Sequence, residues 1–360
     1  MDKKKVSSKI AVYTIALNEE EFVERWHESA KDADYLLIAD TGSTDSTREI
    51  AIKLGINVVD ISIKPWRFDD ARNASLAALP ADIDMCVQLD MDEILLPGWR
   101  DEIENALKQG ATRIRYNYTW NWKDTAQTMP GTVFGGDKIH ARNGYRWKHP
   151  VHEVIAPYGE TKEKQVWTQL SLHHHPDDTK SRSQYLPLLK LSTEEDPYDD
   201  RNAYYYAREL FFYKRDVEAS KQFKRHLSLP GAVWAPERAA SMRYLAKIDT
   251  DNSESWLLAA IRQAPGRRES LVELAQHYYE AQSWAGCLEH AKKALEIEEK
   301  PLDFLCEEFA WGYLPWDLAA ISSYYLGDRE NALIYGKKAL ELEPENGRLI
   351  ANMAYYEQKD

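Results

Sequence analysis

This 360-residue chain holds only three cysteines, Cys86, Cys287 and Cys306, and they stand far apart. They form neither a disulfide framework nor the close pairs of a structural metal site, so a reducing cytoplasm is the expected setting. No run approaches 18 uninterrupted apolar residues, which argues against a membrane-spanning helix. The start, Met1-Asp2-Lys3-Lys4-Lys5, lacks the apolar stretch of a signal peptide. Positive charge is in deficit as well: 46 Lys and Arg face 59 Asp and Glu, a net charge of -13. That disfavours a generic binder of phosphate backbones, while leaving room for a local basic groove. Two glycine signals are missing too. No Gly-x-Gly-x-x-Gly follows the first apolar run, which disfavours a dinucleotide-binding Rossmann domain. Nor does Ala11 to Glu20 carry the glycine-rich basic loop expected of a nucleotidyltransferase.

What is abundant is aromatic. Twelve Trp and 21 Tyr suit helix packing, sugar stacking or both. The length exceeds one typical domain and leads to an expectation of two, 1–190 and 191–360. In the first, strand and helix signals alternate. The apolar run Ile10 to Leu17 ends at Asn18, which is expected to cap a helix whose first turn holds Glu19, Glu20 and Glu21. Tyr35 to Ala39, Asn57 to Ile61 and Met85 to Leu89 read as further strands. Helices are expected between them, the second stopped near Gly55 and the third, Arg72 to Ala78, by Pro80. The series predicts a mostly parallel α/β sheet with crossover helices. From 110 to 175, short Tyr- and Trp-rich strands are expected, broken at Pro130-Gly131 and Gly135-Gly136.

After Tyr198 the pattern is helical and repeats. Ala219, Ser253 and Cys287 lie 34 residues apart. Seven residues further on, Ala260 and Ala294 occupy a small-residue slot in which His226 is the exception. Trp316, Ala320, Ala332, Gly336, Ala339 and Pro344 fit one tetratricopeptide unit. The period predicts stacked helical hairpins, with about eleven residues inserted around Pro301 to Gly312.

The run Gln88-Leu89-Asp90-Met91-Asp92-Glu93 places two carboxylates, two residues apart, at the carboxyl end of a buried strand, where open α/β sheets bind ligands. Moving a sugar from a nucleotide diphosphate requires that the leaving diphosphate be neutralised, and a divalent cation, Mn²⁺ or Mg²⁺, supplies that charge. Asp92 is the expected direct ligand; Asp90 is expected near the ribose or on a metal-bound water. A solvated acidic turn is the bland alternative for Asp-x-Asp alone.

Four clusters in order, Thr14-Ile15-Ala16-Leu17-Asn18-Glu19-Glu20, Asp40-Thr41-Gly42-Ser43-Thr44-Asp45-Ser46-Thr47, Ala71-Arg72-Asn73 and Leu89-Asp90-Met91-Asp92-Glu93, resemble those of the family 2 glycosyltransferases with a GT-A fold. The resemblance implies a GT-A α/β domain followed by an all-α, tetratricopeptide-repeat-like domain. It implies that Ala16 and Glu19 lie beside the nucleotide, with Asn18, Gly42, Ser43 and Met91 in the same donor site. Asp40 would contact the base, and Arg72 and Asn73 would close over the donor. Beyond residue 130 the chain resembles the subgroup carrying C-terminal repeats, through Lys138-Ile139-His140-Ala141-Arg142, Val151-His152-Glu153 and Leu170 to His175. Strand alternation puts Leu170, Leu172 and His174 on one face and nominates His174, of the triplet His173-His174-His175, to complete the metal shell. Pro176 departs from the glycine common there. Glu153 is the leading catalytic base, with Asp137 in reserve and Glu93 as a further candidate or an orienting group. Trp120, Trp122 and Trp147 could stack on a sugar or pack the core.

The expected protein is thus a metal-dependent, inverting hexosyl- or pentosyltransferase using a nucleotide-diphosphate sugar, with UDP-sugar the first choice. Acceptor classes are a protein or peptide, a glycan or other saccharide, and a modified base in DNA. Concave repeat surfaces favour an extended peptide, and the repeats could equally mediate a homodimer. The reading from a different class is a repeat scaffold with an inactive transferase-like domain, against which the intact Asp90 and Asp92 stand.

Overall fold

The computed structural model describes residues 8–176 and 183–357, arranged in two compact units, Met1–Ser192 and Thr193–Asp360. In the first, an eight-stranded mixed sheet runs in the order β3-β2-β1-β4-β7-β6-β10-β5. One parallel part comprises β1 (Ile10–Ala16), β2 (Tyr35–Asp40), β3 (Asn57–Asp60) and β4 (Met85–Gln88). The chain steps from β1 outward to β2 and β3, then returns to place β4 on the other side of β1. That reversal makes a crevice at the carboxyl ends of β1 and β4. The sheet continues through β7 (Val133–Ala141), β6 (Arg113–Thr119), β10 (Gln165–His174) and β5 (Glu93–Leu95); β8 (Tyr145–Lys148) and β9 (Val154–Pro157) form a separate hairpin.

β1 is almost wholly apolar because both its faces are covered. Ile10 and Val12 join a core with Trp26, Trp99 and Ile103, contributed by α1 (Val23–Ala30) and α4 (Trp99–Lys108). Ala11 and Tyr13 point the other way, into a core with Leu76 of α3 (Phe68–Ala78) and with Tyr145, Trp147 and Ile155 of the hairpin. Alternation along one strand thereby builds two cores.

Three local expectations are corrected. Asn18 caps no helix. It adopts a left-handed conformation (φ 55°), and its Oδ1 instead accepts the Thr44 N–H at 2.8 Å, tying the end of β1 to the loop after β2. Asn is among the few residues that tolerate that backbone geometry. Second, Gly135-Gly136 does not break a strand, because β7 continues through both, although its register with β6 shifts by one residue between Gly136 and Ile139. A Cβ at Gly135 would lie 2.6 Å from the Trp167 ring, and one at Gly136 would lie 2.3 Å from the Tyr116 ring, so glycine is needed for close packing. Third, α3 begins at Phe68, four residues before the apolar pattern suggests, and it ends at Ala78 ahead of Leu79-Pro80 as proline sterics require.

The boundary between the two units falls within α5 (Tyr185–Glu195). The second unit pairs α6 (Asp200–Phe212) with α7 (Asp216–Ser228), α8 (Ala235–Ile248) with α9 (Ser253–Gln263), α10 (Arg268–Glu280) with α11 (Trp284–Leu295), and α12 (Leu314–Tyr325) with α13 (Arg329–Leu342). A further helix, α14 (Gly347–Glu357), follows. The 34-residue period is that of the hairpin. Ala219, Cys287 and Ala332 are buried in the first turns of α7, α11 and α13, where small side chains let helices approach. In α9 that first turn is replaced by the 3₁₀ turn Thr250–Asn252, which leaves Ser253 as the helix's first residue. The longer final interval is the connection between α11 and α12, with a 3₁₀ turn at Glu308–Ala310.

Candidate active site

At the carboxyl end of β2, Asp40 is almost wholly buried. Its Oδ2 accepts the backbone N–H groups of Gly42 and Ser43, each at 3.0 Å, and Arg48 approaches at 3.5 Å. Its Oδ1 has no hydrogen-bond partner. A buried carboxylate oxygen left open is costly unless a ligand donor fills it. Ala16, at the end of β1, lies directly opposite Asp40 in the parallel register. Asn18 N–H donates to the Ser43 hydroxyl at 2.9 Å, and Glu19 N–H to the Thr47 hydroxyl at 2.7 Å. Gly42 has φ +116° and nothing within 4 Å of a notional Cβ. Ala16, Asn18, Glu19, Asp40, Gly42 and Ser43 therefore form one continuous rim.

Beyond β4 lies a network of charge. Asp90 Oδ1 accepts from Arg72 Nη1 and from Gln88 Nε2, each at 2.8 Å, while Oδ2 accepts from Lys138 Nζ at 2.7 Å. Burial pushes the Asp90 carboxyl up, but the charges of Arg72 and then Lys138 outweigh it and hold the group far below the ordinary carboxylate range. Arg72 also hydrogen-bonds Glu153 through Nε and lies over the Trp147 ring at 5.2 Å. Glu93 is buried; it accepts from the Asp90 N–H, the Tyr118 hydroxyl and Lys138, at 2.7–2.8 Å. Both its oxygens are committed, so it orients the Asp90 loop.

Asp92 stands apart from that network. One of its oxygens is 3.3 Å from His174 Nε2 at the end of β10, and its backbone carbonyl accepts the His175 N–H at 2.8 Å. The His174 ring is fixed from two sides. Nδ1–H donates to the Trp120 carbonyl at 2.8 Å, and the Trp120 indole stacks on it at 4.6 Å with an interplanar angle of 17°. With Nδ1 as donor, Nε2 is the nitrogen left to face Asp92, by a lone pair in the neutral ring or by a shared proton. Burial pushes the His174 ring down, but Asp92 and then the Trp120 carbonyl outweigh it, leaving its proton affinity raised. The neighbouring histidines differ. The His175 ring stacks on Trp122 and is pushed down to about 4, by burial first and then by Arg25; His173 meets Trp122 edge-on.

Other predicted residues are placed differently. Asn73 uses both ends of its amide on the Trp147 backbone, donating and accepting at 2.9 Å, and so pins β8 to α3. The Met91 side chain is in the main core, so only its backbone is available to a ligand. Asp137 is paired with Arg113 at 2.7 Å and Arg115 at 3.4 Å, outside the Asp90 network. Trp147 is buried in the second core, whereas Trp120 is about half exposed beside His174.

Residues 11–186 match the family model for glycosyl transferase family 2. The N-terminal unit is a family 2 glycosyltransferase domain. Among curated relatives of this domain, an uncharacterized glycosyltransferase of Rickettsia conorii is 36% identical over 102 residues, 28% of this chain and 35% of its own length. One of Rickettsia bellii is 36% identical over 100 residues, 28% of this chain and 33% of its own. The chain thus spans about a third of the length of these curated relatives. Among solved structures, glucosyl-3-phosphoglycerate synthase from Mycobacterium tuberculosis, in complex with Mn²⁺, UDP and glucosyl-3-phosphoglycerate, is 29% identical over 32% of this chain and 45% of its own, with a TM-score of 0.27. MamA is 16% identical over 45% of this chain and 89% of its own, with a TM-score of 0.36.

The charge network also includes residues that the sequence motifs do not nominate. Lys138 is the main one. It follows a glycine pair in a strand quoted only as basic, and nothing in its spacing says that it meets Asp90 and Glu93. Tyr118 and the Trp120 carbonyl are likewise visible only once β6, β10 and the Asp90 loop are side by side.

Proposed function

We propose that the transferase domain moves a sugar from a nucleotide-diphosphate sugar, with a UDP-sugar the first candidate, to an acceptor with inversion, and that a divalent cation, Mn²⁺ or Mg²⁺, assists. The observation that carries the metal reading is the Asp92–His174 pair, a carboxylate and an oriented imidazole at adjoining strand ends. The donor set fits a divalent cation: an oxygen and a nitrogen face one another, and the second ring nitrogen is already held by a carbonyl. When bound there, the cation would neutralise charge on the departing diphosphate. Asp92 and His174 would hold it.

The chain's own groups divide the rest of the work. The open Oδ1 of Asp40 offers a buried acceptor for a base N–H, which suits the imide of uracil. Arg72 and Lys138 hold Asp90 ionised and fixed, so in this reading Asp90 orients the ribose or a water rather than ligating the cation directly. Glu153 is the proposed base. Its carboxylate shares Arg72 with Asp90, and it takes the acceptor proton once an acceptor hydroxyl displaces part of that pair. Asp137, held by two arginines, is the weaker candidate. A protein or peptide acceptor fits the repeats best, since stacked hairpins bind extended chains; the repeats could instead pair two copies of the chain. No helix of the described residues is long and apolar enough to cross a membrane.

The test is release of sugar or nucleotide from a panel of nucleotide sugars with Mn²⁺ or Mg²⁺, comparing the parent protein with Asp92→Ala. Metal-dependent turnover of one donor, lost in the variant, is expected. No turnover of any donor would overturn the enzymatic reading in favour of a scaffold. Intact mass of candidate acceptors after incubation with the active donor identifies the acceptor class.

A further inference from the structure

His226 occupies a slot of the helical repeat that is alanine in the corresponding helices: Ala260 in α9, Ala294 in α11 and Ala339 in α13. Those alanines are fully buried, and so is the imidazole that replaces them. Its Nδ1 meets the Ser241 hydroxyl at 2.8 Å. Its Nε2 has no hydrogen-bond partner, although a Glu237 carboxylate oxygen lies 3.4 Å away. Glu237 is 4% exposed, and Asp200, at the start of α6, is partly buried. One candidate ligand atom from each of the three residues lies within 4.8 Å of the others. Among the described residues, neither Asp200 nor Glu237 forms an ion pair with a lysine or arginine. Two carboxylates and an unfilled imidazole nitrogen therefore converge from three helices, with no cation of the protein to balance them. Elsewhere in this unit, buried carboxylates such as Glu273 and Asp317 are matched by arginine.

We propose that Asp200, His226 and Glu237 form a second metal site, specific for a divalent transition ion such as Zn²⁺, which clasps α6, α7 and α8 together. The donor set selects the ion class. An imidazole with two carboxylates suits zinc better than magnesium or calcium, which prefer oxygen alone. Ser241 acts as the supporting partner, accepting from Nδ1–H so that Nε2 presents its lone pair. Ligand atoms about 2.0–2.2 Å from zinc sit roughly 3–3.5 Å apart, so the three must draw in by about an ångström on binding. The role is structural. It stabilises the first repeat, whose histidine would otherwise be a buried polar group in an alanine slot. It is independent of the transferase reading.

The test uses the untagged full chain carrying Asp92→Ala, which removes the transferase site as a competing metal site. After chelator treatment and dialysis, metal content is measured with Zn²⁺, Mg²⁺ or Ca²⁺ supplied, alongside thermal unfolding. The expected result is about one tightly held zinc per chain, a rise in melting temperature with zinc alone, and a d–d absorption band when Co²⁺ is substituted. His226→Gln should abolish all three. If that variant does not fold, Asp200→Asn at the partly buried position should weaken zinc binding by at least about tenfold with the fold intact. Zinc binding that is absent, or that survives both substitutions unchanged, overturns the proposal.

Discussion

Buried charge is plentiful in both units, but it is disposed differently. In the repeat unit much of it is closed into ion pairs: Arg243 bridges Glu273 and Glu307, Arg267 bridges Glu269 and Asp303, and Arg348 pairs with Asp317. In the transferase unit it gathers at the carboxyl ends of β4 and β10, and acceptor capacity is left over at Asp40 Oδ1 and at the Asp92–His174 pair. A buried ion pair is therefore weak evidence of chemistry. What marks the site is charge at strand ends with lone pairs unfilled. Judged by unfilled lone pairs alone, the Asp200–His226–Glu237 cluster in the repeats resembles a site rather than a brace.

The contrast breaks most sharply under substitution. Asp92→Ala should lower donor turnover on the order of 10²–10³-fold while thermal unfolding and far-UV circular dichroism stay near the parent, because the pair serves charge placement rather than packing. An unfolded or fully active variant would contradict this. Arg243→Ala should do the reverse, costing about 2–3 kcal/mol by leaving the buried Glu273 with Lys247 as its one remaining ion-pair partner among the described residues, with activity per folded molecule retained. Denaturant titration of the variant measures the loss.

The next effect is one of pH. Burial pushes His140 down to about 4; its Nδ1–H donates to the Ala141 carbonyl, and Nε2 meets the Tyr13 hydroxyl. The unfolded chain takes up this proton near 6.5 and the folded chain only near 4, so stability is full above pH 6.5 and falls as the pH drops towards 4. The loss from this residue amounts to roughly 3 kcal/mol at most. His140→Gln should flatten that limb of the stability–pH curve, and an unchanged limb would refute the assignment. Smallest of all, Asp328→Ala removes the N-cap of α13, whose side chain accepts the Asn331 N–H at 3.1 Å. It should cost about 1 kcal/mol in thermal unfolding and nothing in turnover.

Much of this was legible in the chain before any coordinates. Apolar runs ending in polar clusters announce strands that deliver residues to one edge of a sheet, and the 34-residue spacing announces hairpins, because both periods are imposed by local backbone geometry. Strand alternation alone singled out His174 as the histidine sharing a face with Leu170 and Leu172, and it is the one facing Asp92. The pattern failed where the deciding contact is remote. Asn18 reads as a cap because its sequence neighbours are glutamates, yet its partner is Thr44. Gly135-Gly136 reads as a break because the rings of Tyr116 and Trp167 are absent from the local sequence.

By itself, then, the sequence determined the two architectures, the order of the donor-site clusters and the anomaly of a histidine in an alanine slot. All are properties of spacing along one chain. Only the tertiary structure decided the different surroundings of Asp90 and Asp92, two residues apart and chemically identical. Arg72, Gln88 and Lys138 arrive at the first from α3, β4 and β7, and His174 arrives at the second from β10. A carboxylate's role is set by the charges that surround it, and those charges come together only when the strands do.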